Sequence, residues 1–394
     1  VVAEGAAKIT AAQKHRASHP AGKVQQGHLL QAVNLHERVS LYGVEYVEIA
    51  HGPVGDAVIH GIGVFFQIAA DGLGEALLLK LIDDVRKHRF RSSKYRMFEV
   101  HEKNKTRLVA DLPLYPDRIL HWAIALAIEE KLNHKLIDQT HASRPKHGIH
   151  SAIMDVRHYL DNDTRIKYAL QIDVRKFFPS MDKEMVKRRM REVLKDENML
   201  MLLDRINDDY PYPGIAIGNR ISPLFANLVL SPIDHLMKEK HHCHYYVRYM
   251  DDIVILGYSK PWLHKMRKVL DEELGKIGLT IKDNYQVYPI DSRGIQFVGY
   301  RLYTTHTLIR KNIKRNLKKR SREIWTKVDK GQPLDKHDKG TIASYNGFLK
   351  WCDGKNLHKS TIGKIEGVVQ KNEDMAVANM AFRMFLKENK EIYT

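Results

Sequence analysis

Three observations predict an α+β fold for this chain. Short β-branched runs such as residues 171–174 and 247–256 are interleaved with longer stretches of apolar residues at helical spacing. One of the short runs carries two adjacent acids, Asp251 and Asp252, where a tight hairpin turn belongs. The third observation is a helical tail from Leu308 whose first part is strongly basic.

Composition narrows the function classes. The 394 residues are 43% hydrophobic, enough for a buried core in one large multi-lobed enzyme or two to three domains. A formal net charge of +17 exceeds what solubility requires and favours a polyanionic partner, nucleic acid before an anionic membrane surface. The most apolar stretch, residues 61–81, is interrupted by Gln67, Asp71, Glu75 and Lys80, so no transmembrane helix is expected. Cys243 and Cys352 are the only cysteines, and no signal-peptide pattern opens the chain. Neither a disulfide framework nor a cysteine-rich zinc site can be built, and a reducing, cytoplasmic setting fits. His241, His242 and His244 stand too close together for one good metal site.

Residues 1–74 carry scattered His and Gly without a sustained period; they are left unassigned, and poor order is expected. From Glu75, Leu77, Leu78, Leu81, Ile82 and Val85 follow helical spacing. Residues 95–100 and 106–112 read as a strand pair joined by a polar turn, and Pro116 precedes an amphipathic helix over 118–136. A strand over 171–174 runs into Pro179 and Ser180, which end it before a charged helix, so Asp173 lies near a strand's carboxyl end. Helices are expected over 222–238 and 262–277, and a further hairpin over 294–303.

The chemistry follows from the acids. Two carboxylates within a hydrophobic run contradict the local pattern, as functional sites do, although Asp is also an ordinary turn residue. Nucleotidyl transfer needs two divalent ions, one activating a 3′-hydroxyl and one holding a triphosphate, and Mg²⁺ takes one or two carboxylates with phosphates and water. Asp173 with Asp251 and Asp252 would suffice; taken alone, Asp173 reads better as a helix N-terminal charge or a surface salt-bridge member. Residues 310–322 put cations on nearly every helical face, with Ile313 and Leu317 as the packing stripe. Such a helix suits phosphate neutralisation, which is salt-dependent and sequence-blind.

The order of these elements is similar to that of a known family. Ile172-Asp173 to Phe178 with Ser180, then Gly218 to Ser222-Pro223 with Phe225-Ala226-Asn227, then Tyr249 to Asp252, then Phe297-Val298-Gly299-Tyr300 resemble motifs A, B, C and E of reverse transcriptases. Upstream, Lys105 to Val109, Asp117-Arg118 and Ser143-Arg144-Pro145 with Gly148 and His150 resemble the fingers and the segment before motif A. The likeness implies a right-hand polymerase with fingers, an antiparallel palm sheet flanked by helices, and a helical thumb. Its parts would be fingers and palm over 75–307 and a basic thumb with C-terminal helices over 308–394.

By that resemblance the enzyme would be an RNA-directed DNA polymerase using two Mg²⁺ ions, with Mn²⁺ as a substitute. The ions would sit on Asp173, Asp251, Asp252 and the Val174 carbonyl. Arg107, Phe178, Ile217 and Gly218 would bind the nucleotide: Arg107 as a bidentate triphosphate clamp, Phe178 as the steric gate against a 2′-hydroxyl, Gly218 as the point of close backbone approach. Arg144, Tyr249, Phe297, Gly299, Arg310, Lys311, Lys314, Arg315 and Lys318 would meet the RNA template and the DNA or RNA primer, with dNTPs as substrates. Lys282 is a candidate proton donor to pyrophosphate, and a solvated lysine is its alternative.

Within the family, Arg248 to Val254, Gly294 to Arg301, and Ala343 to Gly347 with Trp351 resemble the enzymes of bacterial and phage diversity-generating retroelements. Ile217, an aliphatic residue before the motif B glycine, implies relaxed fidelity at template adenines, and the subfamily implies a small basic accessory protein that assembles as a barrel. Ser222-Pro223 departs from that group toward group II intron and retron enzymes. Retron, group II intron-like and phage-defence enzymes therefore stay open, as does an inactive RNA-binding scaffold.

Overall fold

A computed structural model describes residues 75–102 and 105–369. The unassigned segment 1–74 and the end of the tail lie outside these residues. In chain order the helices are α1 (Glu75–Arg86), α2 (Ile119–Asn133), α3 (Ile149–Asn162), α4 (Lys183–Val193), α5 (Glu197–Asp209), α6 (Ser222–His235), α7 (Lys260–Lys276), α8 (Ile290–Arg293), α9 (Lys311–Asp329), α10 (Lys336–Leu349) and α11 (Lys355–Ser360). The strands are β1 (Arg96–Glu102), β2 (Lys105–Asp111), β3 (Thr140–His141), β4 (Tyr168–Asp173), β5 (Tyr246–Tyr249), β6 (Asp252–Gly257), β7 (Gln286–Pro289), β8 (Ile295–Phe297), β9 (Tyr300–Leu302) and β10 (Thr307–Ile309).

Three sheets organise the molecule. The central one has the order β3-β5-β6-β4-β7, and every pairing in it is antiparallel except β3 with β5. Strand alternation gives it two different faces. Leu170 and Ile172 on β4, with Ile253 and Ile255 on β6, point into the larger core shared with α2, α4, α5, α6 and α7. Ala169, Val254, Leu256 and Tyr288 point the other way, into a second core with α3 and the small sheet β10-β9-β8. The acids Asp173 and Asp252 belong to this second face by register.

Local sequence explains the helix starts. Asp182, Asp196 and Ser259 cap α4, α5 and α7 by accepting from the backbone amides of Glu184, Met199 and Trp262, and Asp335 with Asp338 forms a capping box at α10. Some expectations shift. In α1, Leu78 and Leu81 are buried but Leu77 is exposed. The helix expected from 118 starts at Ile119, after a wider, π-helical turn over Leu114–Arg118 inside which Tyr115 is extended. The tail begins with a strand, since Thr307 and Ile309 pair with Leu302 and Tyr300; the basic helix starts at Lys311.

Candidate active site

The antiparallel register of β4 and β6 sets Asp173 directly opposite Asp252, and β5 returns to β6 through a two-residue loop, Met250-Asp251, closed by Tyr249 and Asp252. Met250 takes φ 53°, the left-handed angle that two-residue hairpin loops require at their first central position. Three carboxylates are thereby gathered at one end of the central strands. Directly opposed like charges repel, and burial worsens the repulsion. The Asp251 carboxyl is raised by burial and then by the charge of Asp173. Asp252 is pushed up to about 7 by burial, then by Asp173 and Asp251; the Gln171 amide and the Arg310 charge act in the opposite direction. Lys282 Nζ forms an ion pair with Asp173 Oδ1, while its backbone amide donates to the Asp173 carbonyl at 2.9 Å.

This donor set fits a divalent cation of the Mg²⁺ class: hard oxygens only, mutually repelling and adjacent to a buried carbonyl-bearing residue, Val174. Among the described residues no group of three or more His, Cys, Asp or Glu side chains surrounds a single metal position. At most two of these side chains then meet at any one position, a number that Mg²⁺ accepts when phosphates and water complete its shell.

The hairpin is braced from behind. Arg248 is fully buried, and its guanidinium bonds Asp234 (2.5 Å from Nη2 to Oδ2), Asn227 Oδ1 at 3.0 Å and the Met250 carbonyl at 3.0 Å. Asp234 also accepts from Tyr246 and Thr140, and Asn227 donates to the Ala142 carbonyl. Every part of this ion pair is hydrogen-bonded, as a buried charge requires. Sequence reasoning quoted Arg248 and Asn227 only as motif letters and missed Asp234. A charged residue alternating with apolar ones on a buried strand was the available signal.

The loop before α6 is anchored on two sides. Gly214, φ 81°, leaves room for the Phe178 and Pro179 carbonyls, and Ile215 donates to the Phe178 carbonyl at 3.0 Å. Gly218, φ 115°, lies against the Ala110 carbonyl of β2, where a Cβ would clash, and Ala110 donates to the Ile217 carbonyl at 2.8 Å. The β1-β2 hairpin carrying Arg107 is thus tied to the Ile217-Gly218 turn. Arg107 is exposed, and Phe178 is half-buried against Phe177 and the main core.

Other expected contact residues divide. Lys311, Lys314, Arg315 and Lys318 are exposed on α9, Arg310 is half-buried, and Leu317, Ser321 and Ile324 form the buried stripe. Arg144 turns Nε toward Asn133 and Nη1 toward the Ile137 and Thr140 carbonyls, so most of its donors hold the loop around it. Phe297 is fully buried, which corrects the expectation that its side chain meets nucleic acid; it seats the β8-β9 hairpin. A Cβ at Gly299, φ 96°, would lie only 3.1 and 3.2 Å from the Ile313 and Phe348 side chains, so it is likewise a packing position. Tyr249 is half-buried at the second core, and burial raises its hydroxyl pKa.

Known proteins resemble this chain over part of its length. A family model described as reverse transcriptase (RNA-dependent DNA polymerase) matches residues 87–302. The COX1/OXI3 intron 2 protein of Saccharomyces cerevisiae is 22% identical over 184 residues, 44% of this chain and 21% of that protein. The group II intron-encoded protein LtrA of Lactococcus lactis is 22% identical over 175 residues, 42% of this chain and 29% of its own length. The chain thus spans well under half the length of these relatives. Apo telomerase from Candida tropicalis, truncated from its C-terminal domain, superposes with a TM-score of 0.43 at 12% identity, covering 55% of each chain.

Proposed function

This chain belongs to the reverse transcriptase family, and on that premise we propose that it synthesises DNA on an RNA template by nucleotidyl transfer at Asp173, Asp251 and Asp252. The observation that carries the reading is the cross-strand placement of Asp173 opposite Asp252, with Asp251 in the adjoining turn. Two Mg²⁺ ions, or Mn²⁺ in their place, would be held by these carboxylates and the Val174 carbonyl. They supply Lewis acidity to an attacking 3′-hydroxyl and to a departing pyrophosphate.

The chain's own residues do the rest. Phe178, its backbone anchored by Ile215, presents a ring beside the nucleotide sugar and favours deoxynucleotides. Arg107 offers a planar fork to the triphosphate, and the Ile217-Gly218 turn forms the floor beneath the base. Lys282, ion-paired with Asp173, would be the proton donor to the leaving group. The exposed cations of α9 would grip the template-primer duplex as a thumb, with the parts divided as fingers and palm over 75–307 and thumb over 308–394. Primer extension on an RNA template tests the assignment. Asp251→Ala should lower product by on the order of a thousandfold or more. Equal product from both proteins would remove it.

The finer reading is error-prone copying of a template repeat in a diversity-generating retroelement, with a small basic accessory protein in the same assembly and a cytoplasmic setting. Ile217 supports it; Ser222-Pro223 and the group II intron-encoded relative support a group II intron-like enzyme instead. Misincorporation opposite template adenine separates the two. The retroelement reading expects it to be elevated and to fall in Ile217→Gln, whereas uniform fidelity in both proteins favours the intron-like enzyme. Among the described residues no helix is long and apolar enough to cross a membrane.

A further inference from the structure

Gln171 stands two residues before Asp173 on β4, on the same face of the sheet, opposite Val254 on β6 and Gln286 on β7. Its amide is bonded at both ends. The carbonyl oxygen Oε1 accepts from the Tyr288 hydroxyl at 2.8 Å and Nε2 donates to the Gln296 carbonyl at 2.6 Å, while the strand register sets Gln171 diagonally across from Asp252, whose carboxyl pKa the Gln171 amide lowers. A primary amide has one oxygen and two N–H groups, so one N–H is left over for the diagonal carboxylate. The Gln296 carbonyl, which can only accept, decides the orientation by taking an N–H of the amide, and the Tyr288 hydroxyl then donates to Oε1 and holds it.

These partners belong to different parts of the fold. Asp252 is one of the clustered acids, whereas Gln296 lies on β8, whose hairpin continues through Gly299 into α9, with Arg310 N–H donating to the Gly299 carbonyl at 2.9 Å. We propose that Gln171, oriented by Tyr288, is a positioning residue that fixes the Asp252 carboxylate relative to the β8-β9 hairpin and so sets the divalent-cation affinity of the site. The proposal rests on the polymerase reading in taking Asp252 as a metal ligand. A purely structural link between two sheets would affect stability alone, whereas a partner that orients a ligand also changes metal affinity, by roughly 10–100-fold where such partners have been removed.

The test uses the full chain without nucleic acid and reads free Mn²⁺ by electron paramagnetic resonance, with the Mg²⁺ dependence of primer extension alongside. Gln171→Leu should weaken Mn²⁺ binding by about tenfold, the low end of that range, and raise the half-saturating Mg²⁺ concentration in parallel. The KM for dNTP at saturating metal should not change. Tyr288→Phe, which deletes one oxygen and keeps the ring, should shift Mn²⁺ binding the same way by less, and it carries the test if Gln171→Leu does not fold. Wild-type protein that binds Mn²⁺ and extends primers, with folded variants matching it in both, would overturn the inference and leave the polymerase reading standing. Wild-type protein that neither binds Mn²⁺ nor extends primers would overturn both.

Discussion

The two faces of the β4-β6 sheet use the same strands for opposite purposes. Toward α6 and α7, β4 presents Leu170 and Ile172 and β6 presents Ile253 and Ile255, all buried; the only charged residue on that side of β5, Arg248, is bonded to Asp234 and Asn227. Toward the small sheet the same strands present Gln171, Asp173 and Asp252, where like charges oppose one another. Charge is present on both faces. The difference lies in compensation: the packing face neutralises its charge internally, and the reactive face keeps an excess of negative charge that a cation from outside can neutralise. Stability and chemistry are therefore separated by the two-residue period of a strand.

The largest effect expected from disturbing this division is at Arg248. Arg248→Ala leaves Asp234 buried without its cation, which should destabilise the fold by about 3–5 kcal/mol, measured by denaturant unfolding. Loss of less than 1 kcal/mol would mean that the packing face does not depend on its ion pair.

Protons should act on the two faces with opposite sign. His121 lies on α2, whose Leu120 and Ile124 belong to the core beneath the packing face; burial, with the nearby charge of Arg118 as the smaller cause, lowers its pKa to about 4. Its folded pKa is below the unfolded value near 6.5, so between these values the unfolded chain binds the extra proton. Acidification from about pH 6.5 to 4 should therefore remove up to about 3 kcal/mol of stability, a slope that His121→Phe should flatten. Asp252 is the reverse case: its folded pKa is raised, so its penalty is absent below the unfolded value near 3.8 and complete above about 7. With a chelator present, Asp252→Asn should stabilise the protein by about 2 kcal/mol at pH 8, after discounting for solvent screening, and by nothing near pH 3.5. A destabilised Asp252→Asn at pH 8 would show that the acids are compensated from within and would erase the contrast between the faces.

Much of the palm was readable from local pattern. The Tyr249 to Asp252 turn, the strand ending at Asp173, the capped helix after Asp182 and the cationic helix from Lys311 follow from turn chemistry, alternation and helical spacing, which depend on neighbours in the chain. The misreadings share a cause. Leu77 has the same apolar character as Leu78, yet the one is exposed and the other buried, since burial depends on what packs against the helix. Phe297 and Arg144 look like surface contacts until the second core encloses the first, and two loop carbonyls with the Asn133 side chain take most of the second's donors.

By itself, the sequence determined which residue types stand on each strand and in each turn, and hence that carboxylates and cations exist in the right order for this chemistry. Only the tertiary structure decided that Asp173 faces Asp252 and that Arg248 finds Asp234. Tertiary packing also brought Gln171 to Asp252 and Gln296. The physical reason is that these pairs join segments far apart in the chain. Strand register and packing select such partners, whereas local spacing constrains only residues within a turn or two of one another.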